Sequence, residues 1–474
     1  IDFSDVEFKG DADFTGVRFE DKASFENTTF SGTIQFKSIN LEGIDIDSIF
    51  TGKATFKNST FESKAIFEWV KFRDEVNFYK AKFRDAVSFE GTGFGAERTE
   101  GRKKSSRDII FEFSVFKGDA TFKNARFYAE IKKKHIGEIY TKTDSINFKN
   151  VEFFRYADFN HSEINGIMLM TDSTFQGNTS FKGIKTTKEC RIYLNRSSVA
   201  GRLIFEGESN NIFIILESIK TTPRAEIEFA DYKMDRVIFS RYMDLTKVRL
   251  INTKWPTIRG RTVIVDKDIL KRTSGLKMYK CPQCSSLIIK RDDEVDICPV
   301  CSFQRERGVE NMELLEIDEE SEHYYDFLVS LYELLRKSYE SRNRHVEAGD
   351  FYIREMEART KWLKYREHEG IIERAKDLGY RFLIWVYNLF SKYGESTARP
   401  IACIILTTFS FGIIFSWYSG LPVLNGVVDS LFTLYQMPPE SLKNNAWASA
   451  ERILGFIFNS LLILSLNRKF KRRD

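Results

Sequence analysis

Apolar residues in the first part of the chain keep neither a helical nor a long-strand period. Phenylalanine falls at Phe3, Phe8, Phe14, Phe19, Phe25, Phe30 and Phe36, in alternating steps of five and six. The register resumes at Phe56, Phe61, Phe67, Phe72, Phe78, Phe83, Phe89 and Phe94. Two residues before most of these sits a smaller one: Val6, Ala12, Val17, Ala23, Ala54, Ala65, Val70, Val76, Ala81 and Val87. In extended backbone such a pair points the same way, and the polar triplets between pairs (Lys9-Gly10-Asp11, Glu20-Asp21-Lys22) read as turns. A unit this short buries its apolar pair only by stacking on the next coil, which predicts a solenoid. The ladder passes an insertion at Gly95–Arg107 and resumes at Phe111, Phe116, Phe122 and Phe127. After a second insertion, Tyr128–Asp144, it runs through Phe148, Phe153, Phe159, Ile164, Met170, Phe175 and Phe181. Leu194, Val199, Phe205, Phe229, Met234, Phe239, Leu250 and Trp255 carry it more raggedly to about Pro256. Each pair of steps makes a unit of eleven residues.

A large residue with a small one two before it resembles the pentapeptide-repeat proteins in their Phe-rich form. The five–six alternation departs from their strict five. The resemblance implies a right-handed quadrilateral β-helix in which two units of eleven residues make one coil of four faces, so that roughly ten coils at strand spacing make a rod about 45–50 Å long.

Past the ladder the pattern changes twice. Cys281-Pro282-Gln283-Cys284 and Cys298-Pro299-Val300-Cys301 are two CxxC pairs thirteen residues apart. Leu287-Ile288-Ile289 and Val295-Asp296-Ile297 flank an acidic turn and predict a β-hairpin between the two knuckles. Four thiolates suit one tetrahedral Zn²⁺, and they leave no open position for catalysis. The segment resembles a zinc ribbon, a clasp or small docking module with one structural Zn²⁺ per chain; a redox CxxC pair is the rival reading. From Ser321 the period becomes helical, with Tyr324, Leu328, Leu331 and Leu335 on one face. A break at Ser341-Arg342-Asn343 precedes a second helix bearing Ala348, Tyr352, Met356 and Leu363, so a helical hairpin is expected. The runs Leu334-Leu335-Arg336-Lys337-Ser338-Tyr339, Ala348-Gly349-Asp350-Phe351-Tyr352 and Arg354-Glu355-Met356-Glu357 resemble a segment of prokaryotic pentapeptide-repeat membrane proteins. There the segment lies between solenoid and transmembrane helices.

Gly379–Tyr393 is amphipathic and aromatic, and suits either a core or the headgroup layer, where Trp385 would sit. Ile401–Tyr418 is eighteen residues without a charge, long enough to cross a bilayer. A second run, Ile453–Leu466, reaches span length by extending back through Trp447, with Glu451 and Arg452 at the interface. Arg381, Lys392 and Arg399 precede the first run, and Arg468, Lys469, Lys471, Arg472 and Arg473 follow the second. Positive flanks put both ends, and with them the solenoid and ribbon, in the cytoplasm of a two-pass cell-membrane protein. Between the spans Gly426–Met437 is apolar but too short to cross. It resembles the pore helix of two-helix ion channels, which makes Asp429, Thr433, Gln436 and Glu440 candidate pore-lining residues. No Thr-x-Gly-Tyr-Gly filter is present, so potassium selectivity has no support, and an amphipathic loop on the outer leaflet is the alternative.

The expected order is therefore a β-helix over 1–256 with insertions near 95–107 and 128–144, then a zinc-ribbon domain at 257–316. A cytoplasmic helical hairpin follows at 317–370 and an amphipathic interfacial helix at 371–398. A transmembrane hairpin with a re-entrant loop and basic tail closes the chain at 399–474. At 474 residues there is room for two to four domains, and a net charge of +4 disfavours nucleic acid as a partner. The chain starts at Ile1 already in register, which reads as a trimmed start. Cys190 and Cys403 stand apart from the CxxC pairs, and metal spacing rather than a disulfide framework places the soluble part in a reducing compartment. Lys132-Lys133-Lys134 suits a solvated loop, or a grip on phosphate or an anionic lipid head. No enzyme is expected: His135, His161, His323, His345 and His368 are scattered, and Gly91-Thr92-Gly93-Phe94-Gly95 has no helix after it to make a phosphate loop. Two function classes remain. One is an oligomer of four or more subunits with a channel-like core controlled by a cytoplasmic sensing or recruiting solenoid. The other is a membrane-anchored scaffold whose solenoid binds a protein partner. Pentapeptide-repeat relatives that bind topoisomerases supply a third reading, at odds with a membrane anchor and near-neutral charge.

Overall fold

The computed structural model describes residues 1–41, 43–95, 108–131, 144–207, 211–239, 243–258, 261–262, 264, 274–294, 297–301, 315–316, 322–367, 370–420, 422–442 and 445–470. Lys132-Lys133-Lys134 and the bulk of both insertions lie outside them. The chain divides into two compact units, Ile1–Ile258 with Ile264–Ile317, and Arg259–Val263 with Asp318–Asp474.

In the first unit alternate Phe residues close a two-residue strand, as at Phe8 and Phe19, or directly follow one, as at Phe14 and Phe25. Strands pair in parallel with those one coil away: Phe8 with Phe30, Phe61 with Phe83. Four columns of strands result, headed by Phe8, Phe14, Phe19 and Phe25. Inside, rings of one column stack at 4.5 to 5.7 Å, within 18° of parallel. Neighbouring columns meet edge to face, as at Phe25 and Phe36 (5.5 Å, 81°). Nearly all these rings are fully buried, each stabilising by about 2–3 kcal/mol through burial alone, with edge-to-face contacts adding about 0.5–1.5 kcal/mol.

The five–six alternation is an alternation of corners. Where the step is five, the second residue after the ring turns left-handed: Asp5, Asn27, Asn58, Lys80, Asn124, Asn150 and Asp172 all have φ between 54° and 60°. Such a corner is tight, and Asn and Asp tolerate it best. The small residue that follows is often Ser or Thr, because its buried hydroxyl donates to a ring residue's carbonyl one coil back: Ser59 to Phe25, Ser114 to Phe78, Ser173 to Phe148, each at 2.6 Å. The six-residue corners use wider bends.

Two departures were not anticipated. The gap after Phe36 holds an antiparallel hairpin, Ile39–Leu41 with Ile44–Ile46, pushed out of one corner. Beyond it Phe50 regains the register, 4.5 Å from Phe19. Further on, the strands of the Phe19 column end with Glu163–Asn165, the first part of a long strand, Glu163–Leu169, that turns into the Phe25 column, and a single bridge from Glu163 to Lys185 follows. From there that column carries longer strands, Cys190–Tyr193, Ile212–Leu216 and Val237–Phe239. They are buried on both faces, and residues 274–294 and 297–301 cover the outer one.

The expected ribbon is therefore not a separate body. Its pairing also differs: Leu287–Lys290 pairs antiparallel with Lys277–Lys280, so the first knuckle is itself the hairpin tip. Val295 and Asp296 lie outside the described residues.

The second unit is helical. Helices α1 (Glu322–Glu340) and α2 (His345–Tyr365) form an antiparallel pair. They bury Leu328, Leu331 and Leu335 against Ala348, Phe351 and Met356. Next come α3 (Ile371–Ser391), α4 (Ala398–Ser419), the short α5 (Val423–Leu434) and α6 (Ala446–Phe470). Two of them, α4 and α6, are long and apolar enough to cross a membrane.

Candidate functional site

Cys281, Cys284, Cys298 and Cys301 converge. Their sulfurs all lie within 4.8 Å of one another, Cys281 to Cys301 at 3.6 Å and Cys284 to Cys298 at 3.7 Å. A tetrahedron of sulfurs each about 2.3 Å from Zn²⁺ has edges of about 3.8 Å, so the cluster fits a metal ion of that kind. The backbone builds the first knuckle tightly: Ser285 N–H donates to the Cys281 carbonyl, with Ser285 left-handed at φ 56°. The Cys298 thiol donates to Cys284 and holds its pKa well below the ordinary thiol range against the effect of burial, and Ser286 adds further donors.

The solenoid holds this centre in place through cations that the Phe ladder does not announce. Arg191, projecting outward from Cys190–Tyr193 and almost fully buried, is bound by Glu189 and by Glu294 (2.6 Å) and donates to the Ile289 carbonyl (2.8 Å). Arg196 pairs with Asp172 (2.7 Å) and donates to Ser286 Oγ (2.8 Å) inside the first knuckle. Lys149 donates to the Val300 carbonyl of the second knuckle (3.2 Å). Glu217 accepts the Leu287 N–H (2.8 Å), and burial pushes its carboxyl pKa up. Around these polar ties Ile167, Leu169, Tyr193, Phe213, Ile215 and Ile238 share one apolar core with Leu276, Met278, Ile288 and Cys298.

In the helical unit α5 is wedged between the two span-length helices. A Cβ on Gly426 would meet the Gly412 carbonyl oxygen of α4 at 2.2 Å, and one on Gly455 of α6 would meet the Leu434 oxygen at 2.5 Å. Such approaches are the ones small residues permit between packed apolar helices. Asp429 is half-buried on α5, and Gln436 and Glu440 are exposed just beyond it. Gln436 Nε2 donates to the Arg452 carbonyl at 2.9 Å. Thr433 departs from its expected role. It is fully buried and its hydroxyl donates to the Asp429 carbonyl at 2.8 Å, so it packs inside the chain rather than lining a surface. Glu451, expected at the interface, is fully buried and takes a hydrogen bond from Ser430 of α5.

Among the interface candidates, Trp385 is exposed on α3 beside Phe382. Arg399 donates to the Asn388 carbonyl at the end of α3 (2.5 Å). Arg468 does not hang free: it donates to the Tyr393 carbonyl (2.7 Å) and lies over the Tyr352 ring (4.5 Å). Lys469 closes the last described turn, while Lys471, Arg472 and Arg473 lie outside the described residues.

Stacked parallel strands around a ring-filled interior define a β-helical solenoid. Residues 1–40 and 46–93 match the pentapeptide-repeats family, in nine copies. The break in that match falls on the hairpin at Ile39–Ile46. No curated protein and no solved structure matches the chain.

Proposed function

We propose that the protein is an oligomeric membrane protein with a channel-like core of α4, α5 and α6, governed by a cytoplasmic solenoid that senses or recruits a partner. The observation that carries the reading is the glycine-mediated wedging of the half-length α5 between two span-length helices. A loop resting on a membrane surface needs no such contacts. Two spanning helices per chain do not enclose a hydrated path, so a ring of about four or more subunits is required. Asp429, Gln436 and Glu440 then face the axis, and the α1–α2 pair relays events to the spans. Basic residues before α4 and after α6 support a topology with both chain ends on the cytoplasmic side of the cell membrane. The thiolate centre holds one structural Zn²⁺, which a reducing cytoplasm keeps available. The apolar residues of α3 that stand exposed, Leu378, Phe382, Leu383 and Trp385 among them, suit the headgroup layer.

The second reading is a membrane-anchored scaffold, favoured by the long repeat surface. The absolute mass of the detergent-solubilised particle separates the two. A tetramer or larger ring that passes current in planar bilayers supports the channel-like reading. A monomer or dimer removes it and leaves the scaffold.

A further inference from the structure

The solenoid hairpin walls a pocket that neither reading uses. A cavity of about 580 Å³ opens on the Phe19 column, lined by Lys37, Asp45, Trp69, Lys71, Arg73, Gly93 and Arg126 among others. That size is ordinary for a small-molecule site. Its floor follows from register: Gly93 is the rung between Lys71 and Arg126, so a missing side chain leaves a hollow between two cations. Gly91 makes room likewise at the corner, where its Cβ would lie 2.4 Å from the Trp69 ring. The indole therefore rests against the backbone and stays about half exposed (49%). The glycine N–H groups are spent in the ladder, Gly91 to Lys123 and Gly93 to Val70, so this is no phosphate loop; the glycines contribute space.

The wall is fixed. Ser38 Oγ donates to the Trp69 carbonyl (2.7 Å), and the Ser48 N–H donates to Ser38 Oγ (2.9 Å), which clamps the hairpin base. Lys37 and Lys71 hold Glu68 and Asp47, whereas Arg73 and Arg126 hold no carboxylate among the described residues. Two guanidinium forks beside an open-faced indole match a phosphate joined to a planar ring. On the hairpin Asp45 Oδ1 accepts from Asn40 Nδ2 (2.6 Å), and the second oxygen of the Asp45 carboxylate is the acceptor offered to a hydroxyl or amino group.

We propose that this pocket binds a nucleotide, its phosphates between Arg73 and Arg126 and its base on Trp69. The test uses the full chain in detergent with N-methylanthraniloyl-ADP and the GDP analogue as fluorescent probes. Saturable binding of at least one is expected, displaced by the unlabelled nucleotide at lower concentration than by pyrophosphate or the nucleoside. Arg73→Ala with Arg126→Ala should weaken binding by about tenfold or more. Trp69→Asn, which suits the left-handed corner, should weaken nucleotide binding while pyrophosphate competes as before. Zinc content and β-sheet circular dichroism check folding, and Arg126→Gln alone replaces the double variant if that one misfolds. Absence of saturable binding by both probes, wild-type affinity in the arginine variants, or displacement by pyrophosphate as effective as by nucleotide overturns the assignment.

Discussion

Asn58 shows what one corner residue does. At φ 57° it turns the chain in the tight five-residue step, and its Nδ2 donates to Asn27 Oδ1 of the neighbouring coil (3.0 Å). A β-branched residue there meets the left-handed penalty of about 1–2 kcal/mol. Asn58→Val should lower the denaturation midpoint accordingly, and Asn58→Gly should cost less. Arg191 makes a larger demand. Its removal leaves Glu294 without a counter-charge in a desolvated interior, while Glu189 keeps Arg291, so Arg191→Ala should destabilise the first unit by about 3–5 kcal/mol. Arg191→Met combined with Glu294→Leu should recover much of that in the same denaturant titration. The six-residue corners were legible in the polar triplets Lys9-Gly10-Asp11 and Glu20-Asp21-Lys22, whereas the tight corner at Asn58 sits in a five-residue step too short to hold such a triplet. Arg191 was not legible, because a lone arginine in an apolar stretch gives no hint that its carboxylate partner lies a hundred residues on, in the ribbon. The Cys284 pKa is depressed in the fold to about 4, so the stability its thiolate contributes is full only above the ordinary thiol value near 9 and declines through neutral pH as pH falls toward the folded value. Metal release on acidification, followed with a chromogenic chelator, should track that loss.

At the scale of elements, periodicity succeeded wherever a single rule governed burial. The Phe columns and the α1–α2 pair obey one period each, and the span-length helices follow from an uncharged apolar run alone. It failed where two rules overlap. Ile212-Phe213-Ile214-Ile215-Leu216 lacks the strand alternation because both its faces are covered, a signal readable as a doubly buried strand. The hairpin at Ile39–Ile46 was hidden because its residues continue the local apolar–polar alternation while leaving the coil. In the helical unit the decisive residues are small. Gly426→Leu forces its side chain into the Gly412 carbonyl, so α5 must leave its seat. The expected result is a lower yield of the native-mass particle and loss of any bilayer current, with zinc content unchanged.

For the whole first unit, solenoid and ribbon share one core, so metal and repeats should unfold together. Cys281→Ser with Cys284→Ser should release about one equivalent of bound zinc. It should also lower the melting of the solenoid's β signal, although neither substitution touches a repeat. An unchanged metal content contradicts the zinc assignment, and an unchanged melt contradicts the shared core.

The doubly covered sheet has a further consequence for the chain as it is made. The strands ending at Tyr193, Leu216 and Phe239 leave the ribosome before Leu276, Ile288 and Cys298 exist to cover them. At about 5–20 residues per second the nascent β-helix carries a bare, sticky flank for several seconds. On the zinc assignment proposed above, that flank closes when the last thiolate emerges and an ion is captured, and maturation should depend on the cell's free zinc while the chain is being translated. A metal-starved cell should lose the protein to aggregation or proteolysis before its apolar helices emerge.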